Sequence, residues 1–285
     1  MSVAYKVQLV DDATLSERDF KRLGQYIESH CGIRMPDGKR VMLESRLRKR
    51  LRKLGMTDFG EYCDRVFGGD KDELVTMIDA VTTNKTDFFR EPRHFDYLAA
   101  KAVPTLARQL AGSLRVWSAA CSTGEEPWTL AMVLAELAER TPGLRYQILA
   151  TDLSTDVLAK AKAAVYDEER VEPVPMPMRH KYLLRRKDGA AVVRVAPDLR
   201  DQVRFEQVNL LDRDLHRLGA MEVIFCRNVF IYFKRAIQEE ILSRFVRMLI
   251  PGGYLFLGHS ESINGINVPL TQVAPTVYRK GGGAT

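Results

Sequence analysis

Apolar residues in the first part of the chain recur with the spacing of amphipathic helices. From Thr14 to about Val81 they lie three or four positions apart in successive groups, and glycines separate the later groups. One such stripe consists of Leu43, Leu47, Leu51 and Leu54. The pattern predicts a small helical bundle, which we assign to an amino-terminal domain over residues 1–81.

From Thr82 onwards the pattern changes to short apolar runs that alternate with helical stretches. The predicted strands are Leu114–Trp117, Tyr146–Thr151, Val223–Cys226 and Tyr254–Leu257. The predicted helices run through Leu130–Leu137, Val157–Ala164 and Ile237–Leu249. Strands and helices of this length in alternation imply βαβ units. We therefore expect an α/β domain over residues 82–285, built on a doubly wound, mostly parallel sheet.

One segment interrupts this alternation. Two short β-rich runs, Tyr182–Arg186 and Val192–Val195, lie on either side of an Asp-Gly turn at Lys187–Gly189, a pattern typical of a hairpin. We expect a small antiparallel β insertion at about residues 180–202. No helix is expected between Met178 and Asn209.

Basic residues are concentrated in one segment of the predicted bundle. The segment Lys39–Lys53 contains eight lysines and arginines but only one acidic residue, Glu44, and so carries a net charge of +7. The whole chain carries +6, which leaves −1 for all other residues. The basic character therefore belongs to one predicted helix, over residues 39–54. The cations on the faces beside its leucine stripe include Arg46, Lys49, Arg50 and Lys53.

The composition argues against several other classes of protein. No run approaches the roughly 18 apolar residues of a membrane span, and the first residues lack a secretory signal pattern. We therefore expect a cytoplasmic protein without membrane insertion. The four cysteines form no Cys-x-x-Cys pair and the histidines lack metal-ligand spacing, so neither a disulfide framework nor a metal site is expected. Nothing in the sequence indicates an obligate oligomer, and a monomer is expected.

The turn after the first predicted strand is suited to a nucleoside. Trp117–Pro127 has the order of a strand, a small-residue turn and a helix, with which α/β proteins build nucleotide pockets. Its single glycine, Gly124, does not supply the Gly-x-Gly-x-x-Gly fingerprint of dinucleotide sites. This absence favours a nucleoside without phosphates, such as S-adenosylmethionine. Glu126 is a candidate ligand contact, and the alternative is a capping box with Thr123.

Further polar residues follow other predicted strands. Asp152 comes at the end of the second strand, where a carboxylate binds ribose hydroxyls in doubly wound folds. The alternative is that Asp152 or Ser154 only caps the next helix. Asn228 and Tyr232 follow the strand Val223–Cys226, and their alternatives are a turn residue and a core aromatic. The segment Thr82–Arg90 adds an amide, hydroxyls and an arginine around two aromatics, a group that can hold a charged ligand.

These motifs, in this order, resemble the chemotaxis receptor glutamate O-methyltransferase family, CheR. The resemblance rests on Thr-Thr-Asn-x-Thr-x-Phe-Phe-Arg (82–90), Trp-Ser-Ala-Ala-x-Ser-Thr-Gly-Glu-Glu-Pro (117–127), Ala-Thr-Asp (150–152), Val-Asn-Leu-Leu (208–211), Phe-Cys-Arg-Asn-Val-x-Ile-Tyr-Phe (225–233) and Gly-His-Ser-Glu (258–261). It implies a class I S-adenosylmethionine-dependent methyltransferase fold, with S-adenosylmethionine as cofactor and S-adenosylhomocysteine as product. The family's cofactor contacts fall on Asn84, Thr86, Arg90, Glu126, Asp152, Asn209, Leu210, Asn228 and Val229. The family's suggested catalytic pair falls on Arg90 and Tyr232.

The resemblance also implies the substrate. Family members methylate glutamates on the acidic cytoplasmic helices of methyl-accepting chemoreceptors, so Arg46, Lys49, Arg50 and Lys53 are expected to bind substrate. In some members the β insertion docks a short tail peptide of the receptor. The compact turn Arg185–Gly189 does not match every tail-binding member, and tail binding stays open.

Two other functions compete with this interpretation. A nucleic-acid methyltransferase would also use a basic helix. However, Arg227–Phe230 stands where an Asn/Asp-Pro-Pro-aromatic segment would be, and Cys226 follows Phe225 rather than a proline, so nucleic acid is not expected as a partner. The second competitor is a non-catalytic module that senses the cofactor. The joint presence of Asn84, Arg90, Asp152 and Tyr232 favours an enzyme. A serine hydrolase is excluded because Gly258–Ser262 lacks the second glycine of Gly-x-Ser-x-Gly.

Overall fold

The computed structural model describes residues 13–108, 113–186 and 188–281. Residues 1–12, at the start of the first predicted domain, lie outside this range. So do residues 282–285, at the end of the second, and Lys187 of the predicted turn. The chain divides into two compact units. The first runs up to Thr83 and also takes in Tyr232–Lys234, and the second comprises the rest of the chain from Asn84.

The described part of the first unit is helical. Its α-helices are α1 (Glu17–Cys31), α2 (Arg40–Leu54), α3 (Phe59–Phe67) and α4 (Lys71–Val81). Ser16 begins α1 by accepting a hydrogen bond from the Asp19 N–H, and Gly32 ends it in the left-handed conformation at a φ of 72°. The predicted helical bundle is confirmed.

The core of this unit contains most of the predicted leucine stripe of α2. Leu43, Leu47 and Leu51 are fully buried, whereas Leu54 is partly buried at the edge of the core. Full burial of a leucine side chain contributes about 1.5–3 kcal/mol. The stripe therefore holds α2 in the bundle.

A mixed sheet lies at the centre of the second unit. Its strands are β1 (Leu114–Ala119), β2 (Tyr146–Asp152), β6 (Val203–Gln207), β7 (Met221–Cys226), β8 (Leu249–Leu257), β9 (Leu270–Ala274) and β10 (Val277–Lys280). Across the described residues their order is β6-β2-β1-β7-β8-β10-β9. The first five in this order pair in parallel, and β10 runs antiparallel to both of its neighbours. The predicted doubly wound, mostly parallel sheet is confirmed, and its strand order changes direction between β1 and β7.

Helices and turns connect these strands. They are α5 (Arg93–Tyr97), a π-helical turn (Leu98–Ala102), α6 (Val103–Ala107), α7 (Glu125–Arg140), α8 (Thr155–Ala163) and α11 (Arg235–Met248), with short 3-10 turns at Glu168–Val171 and Leu215–Leu218. Large aromatic side chains fill the core against the sheet. The rings of Phe225 and Phe256 stack with their centroids 4.2 Å apart, and Trp128 of α7 is fully buried. The residues that precede the loops of the sheet are therefore rigidly packed.

The predicted antiparallel insertion is present, with one strand and two helices that the sequence analysis did not predict. Its strands are β3 (Val165–Asp167), β4 (Leu183–Arg185) and β5 (Val192–Val195), in the order β3-β5-β4. The expectation of no helix was wrong, because α9 (Met176–Tyr182) leads into β4 and α10 (Pro197–Arg200) follows β5. Each of these helices has a proline in its first two positions, where a missing N–H costs no helical hydrogen bond.

Candidate active site

The turn after β1 depends on one glycine. Gly124 has a φ of 98°, and a Cβ at this position would lie 2.8 Å from the Tyr166 hydroxyl and 2.9 Å from the Ala161 Cβ. Ala120 and Ser122 in the same turn also have positive φ angles, of 67° and 51°. Non-glycine residues in this conformation cost free energy and persist where surrounding contacts enforce them, often at functional sites.

Asp152 provides one of those contacts. It ends β2 and is buried, and its Oδ2 accepts a hydrogen bond from the Ser122 N–H at 2.8 Å. Its Oδ1 accepts from the Ser154 N–H at 2.9 Å. The helix cap itself is Ser154, whose hydroxyl accepts from Val157. Asp152 therefore holds the β1 turn to the end of β2.

Glu126 does not form the capping box that was its alternative role. The N-cap residue of α7 is Gly124 rather than Thr123. The hydroxyl of Thr123 instead donates to the carboxylate of Glu125 at 2.6 Å. Glu126 accepts from the Ser118 hydroxyl at 2.7 Å and pairs with Arg227, with 3.2 Å between its Oε2 and the arginine Nη1. Burial raises the pKa of Glu126, and the Arg227 cation opposes this shift.

The segment that carries Asn84 and Arg90 is attached to the same turn. The carbonyl of Asn84 accepts from the Ser122 hydroxyl at 2.9 Å. Arg90 is half-buried between Phe89 and Glu91, whose φ angles of 53° and 58° are both positive. Its Nη1 donates to the Lys85 carbonyl at 2.9 Å. Backbone strain on both sides of one arginine is typical of a functional site.

Thr86 lies between these two residues of the segment. It is half-buried, and its carbonyl accepts a hydrogen bond from Arg170 at 2.8 Å. Arg170 also pairs with the exposed carboxylate of Asp87, with 3.1 Å between Nη1 and Oδ1. These contacts fix the backbone around Thr86.

Arg227 lies at the same edge of the sheet and was not among the predicted site residues. It follows β7 directly, is 7% exposed and lies 5.4 Å above the ring of Phe95. Besides Glu126, its guanidinium pairs with Glu91 at 3.3 Å and donates to the carbonyl of Arg90. A single arginine inside the apolar motif Phe225–Phe233 was the available signal, since a buried cation requires partners.

Glu91 is a second missed residue and a meeting point for several groups. It accepts from the Asn228 amide at 3.2 Å and from the His259 N–H at 3.3 Å, and it lies 3.4 Å from Nδ1 of His94. The ligand-type atoms of Glu91, His94 and His259 lie within 4.8 Å of one another, a grouping that their sequence spacing does not reveal. Because Arg227 already places a cation on Glu91, this arrangement does not favour a metal ion.

Loops after β6 and β7 carry the remaining predicted cofactor contacts. Asn209 closes a turn by accepting from the Leu211 N–H at 3.0 Å, and the carbonyl of the buried Leu210 accepts from Arg244 at 2.8 Å. Asn228 follows β7 with a φ of 60°, and Val229 comes next. Because β6, β2, β1 and β7 run in parallel, these loops meet at one edge of the sheet with Asp152 and Glu126.

Other predicted site residues lie in the first unit. The carbonyl of Tyr232 accepts from the Arg34 N–H at 2.9 Å, and Nζ of Lys39 lies 5.4 Å from the centroid of its ring. Its aromatic side chain is half-buried rather than part of a core. Tyr232 therefore carries a cation–π contact within the helical unit.

The four predicted substrate-binding cations of α2 differ in their surroundings. Arg46 donates to the carbonyls of Val81 and Thr82, and Arg50 pairs with the buried carboxylate of Glu73, with 2.5 Å between Nη2 and Oε2. Lys49 and Lys53 are exposed. The arginines hold α2 to α4, and the lysines face solvent.

The sheet and its carboxyl edge define the class of the protein. Acidic, amide and arginine side chains converge beside a turn that lacks the dinucleotide glycines, as expected for a nucleoside-binding α/β enzyme of the S-adenosylmethionine-dependent methyltransferase class. Residues 84–279 match the family model described as the SAM binding domain of CheR methyltransferase, and residues 18–82 match its all-alpha domain. The chain belongs to the CheR methyltransferase family.

Relatives from several bacteria cover nearly the whole chain. The chemotaxis protein methyltransferase of Escherichia coli (strain K12) is 40% identical over 274 residues, which is 95% of this chain and 94% of the relative. That of Borreliella burgdorferi is 35% identical, over 93% of this chain and 95% of the relative. Chemotaxis protein methyltransferase 2 of Pseudomonas aeruginosa is 39% identical, over 92% and 93%. Within the described residues, no helix has the length and apolar character needed to cross a membrane.

Proposed function

We propose that the protein transfers a methyl group from S-adenosylmethionine to glutamate side chains of chemoreceptor cytoplasmic domains, forming glutamyl methyl esters during chemotactic adaptation. The observation that carries this proposal is the position of Arg90. Its backbone is held by two left-handed neighbours and by the guanidinium of Arg227, beside the carboxyl edge of the sheet. The relatives named chemotaxis protein methyltransferases support the same reaction.

The cofactor is proposed to bind along that edge. Asp152 would accept the ribose hydroxyls, and Glu126 would attract the positive charges of the cofactor. The other proposed contacts are Asn84, Thr86, Arg90, Asn209, Leu210, Asn228 and Val229. Bound in this way, the sulfonium is placed among fixed polar groups, and S-adenosylhomocysteine leaves the same site after the reaction.

The chemistry requires positioning more than proton transfer. A carboxylate oxygen of the substrate attacks the methyl carbon, the carbon–sulfur bond breaks, and its electron pair stays on sulfur. A glutamate with a pKa of about 4.3 is already ionised near neutral pH, so no general base is needed. Alignment of the two charged reactants supplies the rate enhancement. Arg90 is proposed to orient the carboxylate, and the hydroxyl of Tyr232 to donate to one of its oxygens.

The basic face of α2 is the proposed docking site for the acidic receptor helix. Arg46, Lys49, Arg50 and Lys53 together provide a positive field that raises the encounter rate. Because the two arginines also bond within the helical unit, the exposed Lys49 and Lys53 are proposed to make the direct contacts. A cytoplasmic location follows from this substrate and forms part of the proposal, as does a monomeric enzyme.

The β insertion offers a second contact with the receptor. Strand β4 lies at one edge of the three-stranded sheet, with Leu184 exposed on it. An extended receptor tail could add to this edge as a further strand. A tail peptide that binds the wild-type protein and fails to bind after Leu184→Asp would support this arrangement, and equal binding by both would contradict it.

Incubation with methyl-labelled S-adenosylmethionine and receptor cytoplasmic fragments tests the main proposal. We expect label on the receptor that is released by mild base, because glutamyl methyl esters hydrolyse under those conditions. A parallel incubation contains nucleic acid in place of the receptor fragments. Label on the nucleic acid, with none on the receptor, would support the competing substrate. Cofactor binding without transfer to any receptor fragment would indicate a sensing module.

A further inference from the structure

Glu261 is a buried carboxylate that the proposed reaction does not use. It belongs to the motif Gly258–Glu261 after β8, and it is 4% exposed. Its partners are backbone N–H groups rather than the side chain of a lysine or arginine. Oε2 accepts from Gly258 at 2.6 Å and from Asn228 at 2.9 Å, and Oε1 accepts from Phe230 at 2.7 Å. Both carboxylate oxygens are therefore committed to the backbone.

The donors lie on two different loops. Asn228 and Phe230 follow β7, whereas Gly258 follows β8. The two strands pair in parallel with Cys226 opposite Leu257, so both loops leave the sheet at the same level. One carboxylate thus joins two loops at the edge where the cofactor is proposed to bind.

The contact between these loops is close enough to require a glycine. A Cβ on Gly258 would lie 2.4 Å from Nδ2 and 2.8 Å from the backbone nitrogen of Asn228. Asn228 itself is in the left-handed conformation. The left-handed conformation of Asn228 is therefore stabilised by the carboxylate of Glu261, and the close contact is possible because Gly258 has no side chain.

The hydrogen bonds of the Asn228–Phe230 turn determine which of its groups can face a ligand. The N–H groups of Asn228 and Phe230 are turned towards Glu261. The side-chain amide of Asn228 donates to Glu91 at 3.2 Å, and the carbonyl of Phe230 accepts from Gln238 at 2.8 Å. Burial raises the pKa of Glu261, and the N–H groups of Gly258, Asn228, Phe230 and Val229 oppose this shift by stabilising the charged form.

We infer that Glu261 is a positioning residue for cofactor binding: it holds the Asn228–Phe230 turn in the conformation that contacts S-adenosylmethionine. The inference rests on the proposed cofactor site. It assigns Glu261 to cofactor affinity and not to methyl transfer itself, since its oxygens face the backbone.

Glu261→Gln tests this role. A glutamine amide can accept for one carboxylate oxygen, but its NH2 group would face the backbone donors of the other. We expect the Kd for S-adenosylmethionine, measured by calorimetry, to rise about tenfold or more. KM for the cofactor should rise in parallel, and kcat at saturating cofactor should stay within about threefold.

Glu222→Gln is the matched control. Glu222 is a buried glutamate on β7 that accepts from the Arg115 N–H at 2.7 Å, and its pKa is also raised by burial. A glutamine there keeps one accepting oxygen, and its cofactor Kd should stay within about twofold of the wild type. Wild-type affinity in Glu261→Gln, or an equal loss in both variants, would overturn the inference.

A second variant covers the case in which Glu261→Gln does not fold. Gly258→Ala keeps the Glu261 side chain but would place a Cβ 2.4 Å from Nδ2 of Asn228 and 2.9 Å from Oε2 of Glu261. Because it disturbs the same contact between the two loops, it should weaken cofactor binding about tenfold with a wild-type circular dichroism spectrum. Normal binding by this variant would count against the inference. Failure of the wild-type protein to bind S-adenosylmethionine would instead contradict the proposed function.

Discussion

The guanidinium of Arg227 and the carboxylate of Glu126 form a buried ion pair, with 3.2 Å between Nη1 and Oε2. The same guanidinium lies 3.3 Å from the carboxylate of Glu91. One cation therefore compensates two acidic groups from separate parts of the chain. Because uncompensated charges are costly to bury, the three side chains depend on one another. They connect the first turn of α7 to the segment that carries Arg90.

Replacing Arg227 by alanine should destabilise the protein strongly. Two largely buried carboxylates, with side chains 10% and 13% exposed, would lose their cation. Breaking a buried pair in this way typically costs about 3–5 kcal/mol. Urea denaturation measures the change in the free energy of unfolding. Arg217→Ala, which removes the exposed partner of Glu206, is the control and should have a much smaller effect. Similar small losses in both variants would show that Arg227 is not essential to the buried network.

The sequence was most informative where apolar pattern and strand ends coincide. Asp152 could be placed at the carboxyl end of β2 because the run before it is apolar and the next helix follows at once. Strands β9 and β10 were not predicted, since β9 is largely exposed and has no continuous apolar run. The edge of the sheet they form depends on pairing with β8, which local sequence does not reveal.

The contacts between distant segments could not be predicted. Glu91 and Arg227 are far apart in sequence, and their pairing arises from the fold of the second unit. For Asn228 and Asp152, the sequence left a structural and a functional interpretation open, and the structure shows backbone roles for both.

Asp152→Asn should weaken binding of S-adenosylmethionine by more than about tenfold. The substitution removes the charge that is proposed to accept the ribose hydroxyls and disturbs the hydrogen bond to Ser122. Calorimetric titration gives the Kd. Ser154→Ala is the control, because it removes the cap of α8 and should cost about 1 kcal/mol of stability with little effect on affinity. Equal affinities in the two variants would mean that Asp152 has only a structural role.

Arg90→Ala should lower the rate of receptor methylation at least about a hundredfold while the protein stays folded. The side chain is half-buried and makes one hydrogen bond to the Lys85 carbonyl, so its loss affects stability little. Its proposed orientation of the substrate carboxylate would be lost. Arg93→Ala removes a neighbouring exposed arginine and should retain activity. Near-normal methylation by Arg90→Ala would remove Arg90 from the mechanism.

Lys49→Glu combined with Lys53→Glu should slow methylation of the receptor and leave cofactor affinity unchanged. Reversing two exposed charges weakens the attraction to an acidic helix, and the wild-type rate should fall with added salt more steeply than that of the variant. The salt dependence is obtained from methylation rates of the wild type and the double variant at several salt concentrations.

Arg50→Ala should destabilise the helical unit. It leaves the buried carboxylate of Glu73 with the Tyr62 hydroxyl but without its cation, so it should lower the free energy of unfolding. If the double variant of Lys49 and Lys53 keeps the wild-type salt dependence of methylation, that result would contradict a docking role for α2.

The free energy of unfolding should decrease as the pH is lowered, because of His94. Burial, reinforced by the Arg227 cation, lowers the pKa of this histidine to about 4. In the unfolded chain its pKa is about 6.5, so between these values the unfolded state binds a proton that the folded state does not. The histidine therefore has no effect above pH 6.5 and destabilises the fold by up to about 3 kcal/mol as the pH falls to 4.

Urea denaturation at a series of pH values between 7.5 and 4.5 tests the effect of His94. His94→Gln removes the titrating group. The slope of the free energy of unfolding against pH should therefore decrease by the equivalent of nearly one proton bound on unfolding. His180→Gln, which removes an exposed histidine of α9, controls for the loss of one imidazole and should keep the wild-type slope. If His94→Gln and the wild type lose stability in parallel, His94 is not the group that couples folding to pH.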